Sequence, residues 1–260
     1  MGREISGGHF RPQDFERFEQ ALAAETERLA GLFDRGELSA RHGCGGYELE
    51  AWLVDADGQP APVNEEFLAG MSPEVATPEL ARFNFELGAE PRQVTGDYLA
   101  GMHAEMAANW GQCRDVAAGL GAAPVMIGIL PTIADDMLGM DSMSRMARFR
   151  ALNEQVLYQR RGRPLPLDIQ GHEFLHTEHH DVMLEAATTS FQLHLQVGAE
   201  SAVRYFNAAL ALSGPLVGAT ANAPFLFGKR LWRETRIPLF EQSVAAGGFG
   251  GAAFGPVKRA

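Results

Sequence analysis

Gly45-Gly46-Tyr47-Glu48-Leu49-Glu50-Ala51-Trp52-Leu53-Val54 is the stretch on which the reading of the fold turns. Two glycines lead into alternating residues, and Asp55-Ala56-Asp57-Gly58 supplies turn chemistry at the far end, which predicts a β-strand. A period of two sends Tyr47, Leu49, Ala51 and Leu53 to one face and Glu48, Glu50 and Trp52 to the other. The first is a core face. The second carries two carboxylates ~7 Å apart, which repel by roughly 2 kcal/mol at an effective dielectric near 20. In open solvent such a pair is harmless. Partly enclosed, it requires a proton on one Glu or a cation between the two.

Other segments repeat the pattern. Phe83, Phe85 and Leu87 alternate with Asn84 and Glu86, which predicts a short strand with a carboxylate opposite its apolar side. From Thr188 to Val197, Thr189, Phe191, Leu193, Leu195 and Val197 share one face while Gln192, His194 and Gln196 share the other. Leu165, Leu167 and Ile169 alternate with Pro166, Asp168 and Gln170. Pro124 to Leu130 reads as a strand covered on both faces, with Gly128 allowing close approach. Helical spacing marks Pro12–Asp34 as an amphipathic scaffold helix, then about 95–120, 144–161 and 200–212. Cys113 falls on the apolar stripe of the second of these. Parallel strands sandwiched by helices are apolar on both faces, whereas at least four segments here have one polar face. The expected fold is therefore α+β: an antiparallel sheet with helices packed on one face. Its front is lined by Glu48, Glu50, Glu86, Gln192 and His194, with Asp168 as a further candidate.

Bulk composition narrows the function. The 260 residues, 46% of them hydrophobic, suffice for a real core, and a formal charge of -11 without a basic run argues against nucleic acid or an anionic membrane as partner. Cys44 and Cys113 form no CxxC motif, so the default is a reducing cytoplasm without a disulfide framework. Met1 to Gly8 read as no secretory leader. The uncharged run Asn207–Gly228 holds Gly214, Pro215, Gly218 and Pro224, and so reads as helix, break and loop instead of a membrane span.

Three Glu and one His on matching strand faces suit a hard cation such as Mg2+, which prefers oxygen ligands and completes its octahedron with water or phosphate oxygens. The competing reading is a solvated polar face. Arg233 and Arg236, in a basic cluster beginning at Lys229, could clamp a transferring phosphoryl group or sit in ordinary ion pairs. His172-Glu173-Phe174-Leu175-His176 matches the HExxH pattern of zinc hydrolases, but the strand before it and the polar Thr177–Asp181 after it suggest a loop and not the required helix. Neither a P-loop nor a placed GxGxxG is present, and glycine-rich Gly247–Gly251 lacks a following helix.

The blocks Gly46–Asp55, Phe83–Leu87, Leu184–Val197 and Ala221–Gly228 together resemble the carboxylate-amine ligase family that includes the plant and proteobacterial type of glutamate-cysteine ligase. The resemblance implies a single glutamine-synthetase-like domain over 1–260, with ATP and Mg2+ as cofactors. It implies metal ligation by Glu48, Glu50, Glu86 and His194, and nucleotide contacts from Glu48, Gln192 and Asn222. Arg236 and Arg233 would meet phosphate or a substrate carboxylate. The implied reaction joins glutamate to cysteine or another amine through an acyl phosphate. Gly88-Ala89-Glu90-Pro91 departs from the Asn-Thr-Pro-Pro of relatives, and the resemblance implies further strands beyond Ala260. Three readings follow: an active ligase, with a homo-oligomer as a candidate assembly; an inactive fragment binding nucleotide or a partner subunit; and a zinc hydrolase.

Overall fold

A computed structural model of the chain describes residues 3–38 and 43–246; the glycine-rich segment at Gly247–Gly251 lies outside them. Helix α1 (Pro12–Asp34) is followed by β1 (Cys44–Val54), helix α2 (Asn64–Ala69), β2 (Ala76–Pro78), β3 (Asn84–Gly88) and β4 (Arg92–Gln93). Helix α3 (Tyr98–Gly119), β5 (Ala123–Val125) and helix α4 (Ala147–Gln159) come next, then β6 (Leu165–Gln170), β7 (Phe174–His179) and β8 (Phe191–Gln196). Helix α5 (Ala202–Thr220), β9 (Phe225–Leu226), β10 (Lys229–Arg230) and helix α6 (Arg236–Ser243) complete the described chain.

Strand β1 is the spine of an antiparallel sheet. Along one edge it pairs with β3, Glu50 opposite Glu86, and near its start with β4. Along the other edge it pairs with β8, Glu48 opposite Gln192, and at its end with β5. The period of two holds throughout. Behind the sheet, Tyr47, Leu49, Ala51 and Leu53 join Phe85, Leu87, Phe67, Cys113 and Ala117 in one core, with α3 and α2 as its cover. Fully burying a side chain such as Phe85 or Leu53 is worth about 1.5–3 kcal/mol, so this back layer fixes which face of β1 turns forward. The α+β antiparallel architecture expected from the alternation is the observed one.

A second core lies in front of the far end of β1. There Trp52 stacks on Phe83 with ring centroids 5.4 Å apart and donates its indole N–H to the Ile127 carbonyl at 3.1 Å. Ile129, Ile133, Leu165, Leu167, Leu184 and Leu239 close around it. The β6–β7 hairpin and α6 belong to this layer, which leaves the Glu48–Glu50 end of the front face as a walled hollow.

Several expectations need correction. The strand read over 124–130 shrinks to β5, because beyond Val125 the chain leaves β1 to receive the Trp52 indole. Asp168 is not on the acidic sheet: β6 pairs with β7 in a separate hairpin, where Asp168 faces His176. The break expected near Pro215 is absent, and α5 runs through it to Thr220; no residue of α5 is buried, so solvent can satisfy the carbonyl that lacks a proline N–H. Helix α1 has the expected bounds but buries none of its residues, with Phe18 65% exposed. The apolar face of β8 is open as well, Leu193 being 66% exposed. Amphipathic spacing specifies the element, not a partner to cover it. Among the described residues no helix is long and apolar enough to cross a membrane.

Candidate active site

The hollow in front of β1 is a cavity of about 660 Å³ whose walls include Glu50, Glu79, Glu185, Ser190, Gln192 and Arg236. Its acids come from different elements: Glu50 from β1, Glu79 from the turn before β3, and Glu185 from the short helical turn Met183–Ala187. Glu48 and His194 border an adjoining hollow of about 390 Å³, with Ala89 and Pro91 on its rim. Ala89 and Pro91 belong to the stretch that departs from relatives.

Glu50 is held by three donors. Its carboxylate accepts the Ser190 N–H at 2.8 Å, the Ser190 hydroxyl at 2.7 Å and the Gln192 amide at 3.4 Å. Burial nevertheless raises its pKa above the ordinary carboxylate value, with the Glu48 charge adding to the effect and the Ser190 and Gln192 hydrogen bonds opposing it. Glu86, 6% exposed, is bonded by the Thr77 hydroxyl at 3.3 Å; burial raises its pKa, as do the charges of Glu48 and Glu50. Burial, then the charges of Glu50 and Glu86, push Glu79 up to about 8. Burial and then Glu50 raise Glu185 too. Four carboxyl groups thus stand in mutual repulsion, short of positive charge.

Arg236 is the one cationic side chain on the wall of the larger cavity among the described residues, and it is already engaged. Its Nε and Nη2 donate to the two Glu234 oxygens at 2.7 Å each, and Nη1 donates to the Thr189 carbonyl at 2.7 Å. The Glu234 hydrogen bonds hold the guanidinium charged. Gly128 makes this placement possible. A Cβ there would sit 2.7 Å from Arg236 Nε and 2.7 Å from Asn222 Oδ1, so the close approach read from the sequence is a real one. The Asn222 carboxamide oxygen accepts the Gly128 N–H at 3.1 Å, which spends it on clamping that backbone and not on the cavity.

The front face therefore gathers Glu48, Glu50, Glu86, Gln192 and His194 as expected, with His194 Nε2 3.3 Å from Glu48 Oε2. Arg236 joins them; Arg233 is exposed and is not on the cavity wall. The donor set suits a hard cation by its chemistry, since it is rich in carboxylate oxygens and, apart from His194 beside Glu48, holds no ion-pair partner for Glu48, Glu50 or Glu86 among the described residues. Among the described residues no three His, Cys, Asp or Glu side chains yet converge on one point, so ion binding would draw them together. The periodicity argument missed Glu79 and Glu185. Glu185 had a signal, a lone charge in the apolar run Val182–Ala187; Glu79, in a turn, had none.

The HExxH residues do not form a zinc site. Phe174–His179 is a strand, which cannot set His172 and His176 one helical turn apart. Glu173 bonds the Arg230 N–H at 2.8 Å and Lys229 at 3.3 Å, while His176 Nδ1 lies 2.7 Å from Asp168.

A family model for glutamate-cysteine ligase family 2 matches residues 45–253, most of the chain and every element that builds the cavity. The chain belongs to glutamate-cysteine ligase family 2. That family consists of ATP-dependent carboxylate-amine ligases with a glutamine-synthetase-like fold, and it generally uses ATP and Mg2+. No curated protein matches the chain closely. For a member of glutamate-cysteine ligase family 2, an acidic sheet face that shares a cavity with an arginine suits the reaction: carboxylates to gather cations, and a fixed positive charge for phosphate or carboxylate oxygens.

Proposed function

We propose that this chain, acting as one domain over 1–260, is a cytoplasmic ligase of the plant and proteobacterial glutamate-cysteine type, joining a glutamate carboxylate to cysteine or another small amine. The observation that carries the reading is the placement of Glu50 and Arg236 on the walls of one cavity, behind which Glu86 pairs across the sheet with Glu50. A carboxylate is a poor electrophile until a phosphoryl group is transferred to it, after which the amine attacks the acyl phosphate and phosphate leaves.

Each residue then has a task set by its surroundings. Glu48, Glu50, Glu86 and His194 would hold Mg2+, with Glu79 close enough to repel Glu50 and so able to join them. Magnesium, when bound, supplies charge neutralisation at the phosphate oxygens. Ser190 and Gln192 fix the Glu50 carboxylate so that its orientation does not depend on the ion. Arg236 keeps a permanent charge on the wall of the same cavity, anchored by Glu234, and meets phosphate or substrate carboxylate oxygens. Arg233, exposed outside the cavity, could join only by moving inward.

The test is phosphate release with ATP, Mg2+, L-glutamate and a panel of amines. Release that requires both glutamate and one amine supports the ligase. The non-convergence of the acids favours one second reading, a nucleotide-binding unit without turnover, and its signature is Mg2+-dependent ATP binding with no release above background for any amine.

A further inference from the structure

The two outer edges of the sheet differ in how they end. At one edge lies β2, three residues long and ending in Pro78, which has no N–H to offer a further strand. At the other lies β8, six residues long with no proline, lysine or acid in it, and among the described residues it pairs with β1 alone. The Ser190 and Gln196 carbonyls accept the N–H groups of Glu50 and Gly43, so by alternation the N–H and C=O groups of Phe191, Leu193 and Leu195 point away from β1. Such a row is a template for another strand.

The side chains at this edge are bare as well. Phe191 meets Tyr47 edge to face with ring centroids 6.1 Å apart, so the apolar side of β8 continues the core layer behind β1. Yet Phe191, Leu193 and Leu195 are 49%, 66% and 49% exposed. Helix α5 begins shortly after β8, and Val217 near its end shares a cavity wall with Ser190 and Gln192, so the helix runs back beside the strand with none of its residues buried. Its Val203, Phe206 and Leu210 are 57–73% exposed. These six side chains alone leave roughly 600 Å² of apolar surface in water, which approaches the ~800 Å² per partner of a stable interface before the backbone of β8 is added.

The order of residues selects the occupant. Read outward from Leu193, β8 has the same polarity in both directions: Gln192 and His194 first, then Phe191 and Leu195. Antiparallel pairing about a two-fold axis needs that symmetry. With the axis at Leu193, that residue faces Leu193 of the partner subunit, Phe191 faces Leu195 of the partner subunit, and Gln192 faces His194 of the partner subunit. No like charges meet, and the outward N–H and C=O groups of each strand satisfy those of the other. We propose that β8 is the interface of a homodimer, joining two copies of this chain edge to edge into one continuous sheet with α5 beside the seam. The inference rests on the sheet and not on the ligase reading.

Sedimentation of the full chain tests it. The native protein is dimeric at roughly 10 μM, as a dissociation constant of ~1 μM or below requires. Leu193→Lys sets two ammonium groups against each other across the axis, and the protein becomes monomeric at that concentration while circular dichroism still reports a folded chain. Phe18→Lys, on the equally bare α1, stays dimeric. Should Leu193→Lys fail to fold, mild oxidation of Leu193→Cys decides: facing residues of a hydrogen-bonded pair stand ~5.5 Å apart between Cα atoms, within disulfide reach, so a covalent dimer forms that Phe18→Cys does not give. A native monomer overturns the assignment and leaves the edge to a different polypeptide. A dimer that survives Leu193→Lys, or a Leu193→Cys variant that cross-links no better than Phe18→Cys, overturns it too. Assemblies that keep growing beyond two copies would exclude the closed two-fold pairing.

Discussion

Two regions of the molecule hold the same kinds of side chain in opposite circumstances. On the β6–β7 hairpin, Asp168 and His176 are each about half exposed and paired at 2.7 Å, and Glu173 is paired with Lys229. On the front of β1, Glu50, Glu79, Glu86 and Glu185 are more deeply enclosed and repel one another. The hairpin is electrostatically finished without any ligand. The sheet face is not, and it gains most from what binds there. Burial without compensation, more than residue identity, separates a candidate functional acid from a surface one.

The sharpest way to break this contrast is to remove one acid from each region. Glu50→Gln is expected to lower ATP-dependent phosphate release by ~100-fold or more, because it weakens the hold on the cation that would neutralise the transferring phosphate. Glu173→Gln should leave the rate within about twofold, and a comparable loss at Glu173 would mean that the hairpin, not the sheet, carries the chemistry.

Next in size is a pH effect. An acid whose folded pKa is raised binds more protons folded than unfolded, so its contribution favours the folded state at low pH and is lost as pH rises from the unfolded value towards the folded one. For Glu79 the window runs from the ordinary 4.5 to about 8. Glu79→Gln should therefore stabilise the chain by roughly 2–4 kcal/mol at pH 8 and by little near pH 4.5. Thermal unfolding at the two pH values checks this, and a benefit of equal size at both would show that Glu79 is not held protonated. Added Mg2+ should raise the melting temperature at pH 8 more than near pH 4.5, since protonated carboxyls bind metal poorly.

A smaller effect is expected from Gly128→Ala. The new methyl group meets Arg236 and Asn222 at 2.7 Å, so chemical denaturation should reveal a loss of about 1–3 kcal/mol, with activity falling as Arg236 is displaced. The smallest belongs to the hairpin: Asp168→Asn should cost less than about 1 kcal/mol, as exposed ion pairs do, and the difference should shrink in high salt.

Much of the candidate site was legible because strands write their faces into the sequence. Alternation put Glu48 with Glu50 and Asn84 with Glu86 on polar faces, and the same rule put Gln192 with His194. It misled at Asp168, where an identical pattern belongs to a different sheet. It was silent on Glu79, which a turn delivers. Asn222 looked like a ligand contact in its block, yet its oxygen pins Gly128.

The sequence by itself determined the elements, their inward and outward faces and the α+β class, since periodicity and turn chemistry act between near neighbours along the chain. Only the tertiary structure decided which polar faces share a cavity, which acids lose their water there, and that Arg236 stands at that cavity while Arg233 does not. Pairing partners and desolvation depend on residues far apart in sequence, and no local pattern encodes them.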